Sequence, residues 1–212
     1  GLVEVACVLS STPTAVGLKK AKAAGIPTMI IEPSIFSDPT EFGRSLIEQI
    51  EACEASVVGQ HGWMAITPPN VIRHFHGKMI NQHPGPLDPG HPGFGGIKPG
   101  MYGARVSCAR LLFCRTIKAD YWTESTAQLV AEQVDEGLLV HTQQVPIEPD
   151  DTVESLQTRL LPVEHATQIE AWRQMATGEA RPHKRLVRLV DEKHWQTLTN
   201  AKRIAQILYP KG

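Results

Sequence analysis

Over residues 3–83, short apolar runs alternate with segments that begin like capped helices, and few architectures accept that alternation. "VEVACVL" (3–9), "IPTMII" (26–31), "SVVGQ" (56–60) and "KMINQH" (78–83) read as strands. Between them, Thr12-Pro13, Asp38-Pro39 and Thr67-Pro68 each pair a capping side chain with a proline suited to the first helical position. The first helix closes at Gly25. Asp38 and Glu41 have the spacing of a capping box, and Phe42, Leu46, Ile47, Ile50 and Cys53 then share one helical face. Strands joined through helices run parallel and are covered on both faces. The expected class is α/β: a Rossmann-like, mostly parallel sheet flanked by helices.

The second half has a different pattern. Residues 84–100 are dominated by proline and glycine and form a loop. A helix over about 102–117 precedes two strand-like runs, "YWTESTAQLVA" (121–131) and "LLVHTQQVPI" (138–147). The short connection between them predicts an antiparallel hairpin. Asp151 and Glu154 have capping-box spacing ahead of a long helix that carries Leu156, Leu160, Val163 and Trp172. The expected organisation is one domain over 1–180 and a basic helical extension over 181–212, helical at 194–207.

Composition narrows the function classes. A formal charge of −1 across 212 residues argues against a nucleic-acid or anionic-membrane surface. The longest apolar runs fall far short of a membrane span, and no signal-peptide pattern opens the sequence, so the expected location is cytoplasmic. Cys7, Cys53, Cys108 and Cys114 lack CxxC spacing and read as reduced thiols.

The chemistry concentrates at "MINQHPGPL" (79–87). Residues two apart on a strand project to one side, so Asn81 and His83 point together at the strand end, where open α/β sheets place their ligand crevices. Pro84-Gly85 turns the backbone away from that end. An amide donor can stabilise a developing oxyanion by about 3 kcal/mol, and an imidazole can move the proton of an attacking amine. Packing alone is the competing reading: an asparagine bonding loop backbone and a strand-end histidine. Asp135 in "QVDEG" likewise reads either as a turn residue or as a charged partner for the imidazole.

"MINQHPGPL" followed by "AEQVDEGLLVHTQQVPI" resembles the folate-dependent formyltransferases, and within them the branch that acts on glycinamide ribonucleotide in purine synthesis. The family pattern is a strand ending N-x-H-P, a D-x-G turn, a strand closing in V-P and an acid-capped helix. The resemblance covers nearly all of 3–178 and places Asn81, His83 and Asp135 on the catalytic asparagine, histidine and aspartate. "GWMAI" (62–66) resembles the segment lining the folate pocket, which implies Met64, Ile66 and Thr67 there, with Ala131, Glu132, Gln133 and Val134 also around the pterin. "DDTVESLQTRLLPVEH" (150–165) implies that Glu164 contacts the ribose of a phosphorylated ribonucleotide substrate. The implied cosubstrate is 10-formyltetrahydrofolate, with no metal, nucleic-acid or membrane partner.

Against the family pattern, the sequence is expected to start at the second strand, without the first strand and its phosphate-gripping turn. Pro39, Ala65 and Leu161 stand where basic side chains are expected, and the 88–103 loop is longer than the family's. Other acceptors stay open on these grounds, among them an amino sugar nucleotide and methionyl-tRNA. So do a non-catalytic folate-binding module and a metal-dependent hydrolase using His74, His76, His83 and His91.

Overall fold

The strands of the first half form where the apolar runs place them, each over only part of its run and the first reaching one residue past it to Ser10. A computed structural model describes residues 1–98 and 100–212. Pro99, within the 88–103 loop, lies outside the described residues. The chain divides into two units, Gly1–Ile80 and Asn81–Gly212.

In the first unit, β1 (Val8–Ser10) pairs in parallel with β2 (Thr28–Ile30), with Leu9 opposite Met29. Helix α1 (Val16–Ala23) connects them. It starts later than Thr12-Pro13 suggests, with Ala15 at the N-cap and no side-chain bond there. The hydroxyls of Ser10, Thr12 and Thr14 bond locally instead, Ser10 Oγ donating to Thr12 O at 2.7 Å. Helix α2 (Pro39–Ala52) is capped as expected: the Asp38 carboxylate accepts the Thr40 N–H at 2.9 Å. Glu41 accepts the Ser37 hydroxyl at 3.3 Å, so the reciprocal half of the box runs to a side chain. Phe42, Leu46 and Ile50 form its buried face.

Strand β3 (Val58–Gln60) neighbours β4 (Met79–His83), and Val58 N–H donates to Lys78 O at 2.9 Å. Between them, α3 (Pro69–His74) takes Pro68 as its N-cap, one residue beyond the expected Thr67. The Thr67 hydroxyl is already engaged, accepting the Gln60 side-chain amide at 2.6 Å. His74 closes α3 with Nε2 2.8 Å from the Glu51 carboxylate.

The unit boundary falls inside β4, so Asn81 and His83 belong to the second unit. There α4 (Ala104–Ile117) precedes β5 (Trp122–Leu129) and β6 (Leu139–Pro146), which form the expected antiparallel hairpin with Thr126 opposite Thr142. The register becomes irregular at Ala127/Gln128, where the hairpin approaches its loop. Helix α5 (Val153–Thr177) is capped one residue later than expected. Thr152 and Ser155 make the reciprocal capping box, and Asp151 accepts the Ser155 hydroxyl at 2.7 Å. Asp151 also pairs with Arg159, and that bond is the main reason its carboxyl titrates down at about 2.

The 88–103 loop is tied to the core. Phe94 is wholly buried edge-on against Phe113, and Met101 is buried beside it. Helix α6 (Trp195–Leu208) lays Leu198, Ala201 and Ala205 into the same core. The tail is therefore a packed amphipathic helix. All four cysteines are free thiols. Among the described residues, no helix is long and apolar enough to cross a membrane.

Candidate active site

Strand β4 carries Asn81 and His83 to the point where Pro84-Gly85 ends it, Asn81 half-buried and His83 only 3% exposed. His83 Nδ1 lies 3.0 Å from the carbonyl oxygen of Gly85. A carbonyl only accepts, so this contact is a hydrogen bond only when Nδ1 carries the ring proton, a tautomer that leaves Nε2 its lone pair. Nε2 is buried without a hydrogen-bond partner and sits 3.8 Å from Asp135 Oδ2. That separation is beyond a hydrogen bond yet within reach of a charge interaction once the ring is protonated. A proton arriving at Nε2 would face a buried carboxylate across that gap.

Asp135 sits in the hairpin loop in a left-handed conformation, φ +63°, that non-glycine residues seldom adopt. The Glu136 N–H donates to Gln133 O at 3.2 Å and closes this turn. Its carboxylate is fixed on both oxygens: Gly96 N–H donates to Oδ2 at 2.7 Å and Gln128 Nε2 to Oδ1 at 3.0 Å. The Gln128 side chain also accepts Gly137 N–H at 3.2 Å, so one residue of β5 clamps both ends of the turn. A Cβ at Gly95 would fall 2.6 Å from Asp135 Cβ and 2.5 Å from Leu87 Cδ2, so the 88–103 loop reaches Asp135 only because glycine stands there. Lys202 of α6 donates to Gly93 O at 3.1 Å and Gly95 O at 2.6 Å, holding that loop. Burial lowers the Lys202 pKa, while Asp135 and Glu136 pull it up.

His83 and Asp135 therefore lie side by side, with Asn81 on the histidine's face of the strand. Glu164 lies half-buried on α5 and lines a cavity of about 300 Å³ with Pro84, Ser107, Gln157, Thr158 and Leu161. Burial pushes its carboxyl above the ordinary range, opposed first by a hydrogen bond with Gln82 and then by charges on His165 and His83. In the hairpin loop, Ala131 is half-buried, while Glu132, Gln133 and Val134 are exposed beside Asp135. Met64 and Ile66 are exposed in the first unit, where Thr67 is held by Gln60. His74 is paired with Glu51 and His91 lies 3.5 Å from Asp88. Among the described residues, no three His, Cys, Asp or Glu side chains gather to hold a metal ion.

Gln128, Gly95, Gly96 and Lys202 were not anticipated from sequence. The polar run "TESTAQ", which forms the buried middle of β5, was the available signal, because buried polar side chains need partners.

Comparison with known proteins is consistent with this geometry. A family model described as formyl transferase matches residues 1–172. The chain is 30% identical over 180 residues to the trifunctional purine biosynthetic protein adenosine-3 of Bos taurus, covering 85% of this chain and 16% of that protein. It is 29% identical over 157 residues to the phosphoribosylglycinamide formyltransferase of Haemophilus influenzae, covering 74% of this chain and 66% of the relative. The structure of the phosphoribosylglycinamide formyltransferase of Coxiella burnetii matches with a TM-score of 0.71 and 27% identity, over 86% of this chain and 79% of that one. The chain thus spans about one sixth of the trifunctional relative and about two thirds of the bacterial one.

Proposed function

Because the chain belongs to the formyl transferase family, we propose that it transfers a formyl group from 10-formyltetrahydrofolate to a primary amine, with glycinamide ribonucleotide as the acceptor. The amine lone pair attacks the formyl carbon. The resulting tetrahedral oxyanion is met by the Asn81 amide and by His83, and the bond from carbon to the folate nitrogen then breaks. One proton leaves the amine and one arrives at that nitrogen, so the products are a formamide and tetrahydrofolate.

One observation carries this reading: the buried, partnerless Nε2 of His83 at 3.8 Å from Asp135 Oδ2, with Asn81 two residues back on the same strand. A side chain that only packs would be expected to satisfy that nitrogen. Asp135, held by Gly96 and Gln128, orients the ring and stabilises the imidazolium when the proton arrives. The largely exposed run from Ala131 to Val134 offers backbone beside Asp135 for the pterin. Met64, Ile66 and Thr67 are assigned to the pterin on the family resemblance. Glu164 and its cavity are the proposed ribose site.

The activity for which the relatives are named favours glycinamide ribonucleotide over the other amines. The test is to incubate the protein with 10-formyltetrahydrofolate and glycinamide ribonucleotide and to detect the formylated amine by mass. Formylated ribonucleotide accumulating in step with tetrahydrofolate supports the reading. Transfer to a different amine would keep the chemistry and replace the substrate. Folate binding without any product would make the chain a binding module.

A further inference from the structure

The segment past residue 172, where the family match ends, contributes a side chain that reaches the back of the histidine site. Arg185 pairs through Nη2 with Glu124 Oε1 and donates through Nε to Leu87 O at 2.7 Å. The Glu124 side chain is 1% exposed and that of Arg185 18%, so the pair is shielded from solvent. Thr126, two residues along β5, has its hydroxyl 3.0 Å from Glu124 Oε1 and 2.9 Å from Gly85 O. Gly85 O is the same carbonyl that His83 Nδ1 contacts at 3.0 Å.

The proton count fixes how this chain of contacts works. Thr126 has one hydroxyl proton and two acceptors within reach, an anionic carboxylate and a carbonyl. The carboxylate would win in isolation, since charged acceptors bind more strongly. Arg185 neutralises the charge on that same oxygen and so weakens its claim on the hydroxyl proton, which favours donation to Gly85 O. The carbonyl then holds two donors, Thr126 Oγ1–H and His83 Nδ1–H, one on each lone pair. Its orientation is set from behind, and Arg185 fixes the same turn again through Leu87 O.

We infer that the Arg185–Glu124 ion pair, acting through Thr126 and the Gly85 carbonyl, is a positioning device that holds His83 with its proton on Nδ1 and its Nε2 lone pair toward Asp135. Arg185, Glu124 and Thr126 are positioning residues and touch no reacting atom. The inference rests on the proposed role of His83 for its catalytic consequence, while the ring tautomer itself is independent of it.

The test is nitrogen-15 NMR of histidine-labelled protein near neutral pH, with the His83 signals assigned by their loss in His83→Gln. Alongside it, kcat and KM are measured for formyl transfer to glycinamide ribonucleotide. The variants are Thr126→Val, Thr126→Ser and the pair Glu124→Gln/Arg185→Gln, which removes both buried charges together. Neutral His83 in the wild type is expected to be protonated on Nδ1. Thr126→Val and the double variant should show a mixture of tautomers, with kcat down ~10-fold and KM within ~3-fold. Thr126→Ser should restore both. An Nε2-protonated ring in the wild type overturns the inference without any variant. So does an unchanged tautomer in a folded Thr126→Val or double variant. If the wild type transfers no formyl group, the functional reading fails, and the NMR result still decides the positioning claim.

Discussion

At the scale of single residues, Asp135 is the most tightly specified group in the site. It takes up an unfavourable backbone angle, and Gly96 and Gln128 fill both its oxygens. Gly95→Ala should therefore damage the site from a neighbouring loop, because its new Cβ would lie 2.6 Å from Asp135 Cβ. The expected cost is ~1–3 kcal/mol, typical of overpacking, with activity falling further than stability. Thermal unfolding measured beside turnover checks this; a variant with wild-type activity would show that the contact is not needed. Asn81 and His83 were legible as a same-side pair at a strand end, while Asp135 was singled out by the family resemblance. Their supports were not, because Gly96, Gln128 and Lys202 matter through distances that only the folded loop creates.

At the scale of elements, the strands and helices follow the apolar pattern, while three helix starts are displaced. Each displacement has a competing hydrogen bond behind it. Thr12 is tied to Ser10 and Thr14, Thr67 to Gln60, and Asp151 serves Ser155 and Arg159 while Thr152 makes the cap. Sequence offers several hydroxyls and carboxylates near each start, and tertiary partners choose among them. Thr152→Ala should cost ~1 kcal/mol in a denaturant titration. Asp151 adds a pH dependence. Its carboxyl falls from an ordinary 3.8 to about 2 when folded, so its contribution is complete above 3.8 and is lost as pH drops toward 2. With Arg159 partly exposed, that contribution is ~1–2 kcal/mol. Melting curves from pH 5 to pH 2 should flatten in Asp151→Asn; an identical pH slope in both proteins would contradict the assignment.

At the scale of the whole molecule, the extension beyond 180 is part of the second unit's core. Leu198, Ala201 and Ala205 of α6 pack with Phe94, Phe113 and Leu156, and Lys202 on the same helix holds the loop behind Asp135. The basic extension read from the sequence is thus an amphipathic helix seated on the core. Leu198→Ala should cost ~2–5 kcal/mol in equilibrium unfolding, as for a buried leucine. A cost below 0.5 kcal/mol, the range of surface positions, would make the helix peripheral.

The central claim is that His83 and Asp135 act as a pair on the formyl group. Rapid-quench single turnover of 10-formyltetrahydrofolate and glycinamide ribonucleotide tests it most directly, run on the wild type, His83→Ala, Asp135→Asn and the double variant. Each single variant should lose ~1,000-fold in the transfer step, and the double variant should lose little more than either, as for groups acting as one unit. Full transfer by either folded single variant would contradict the account.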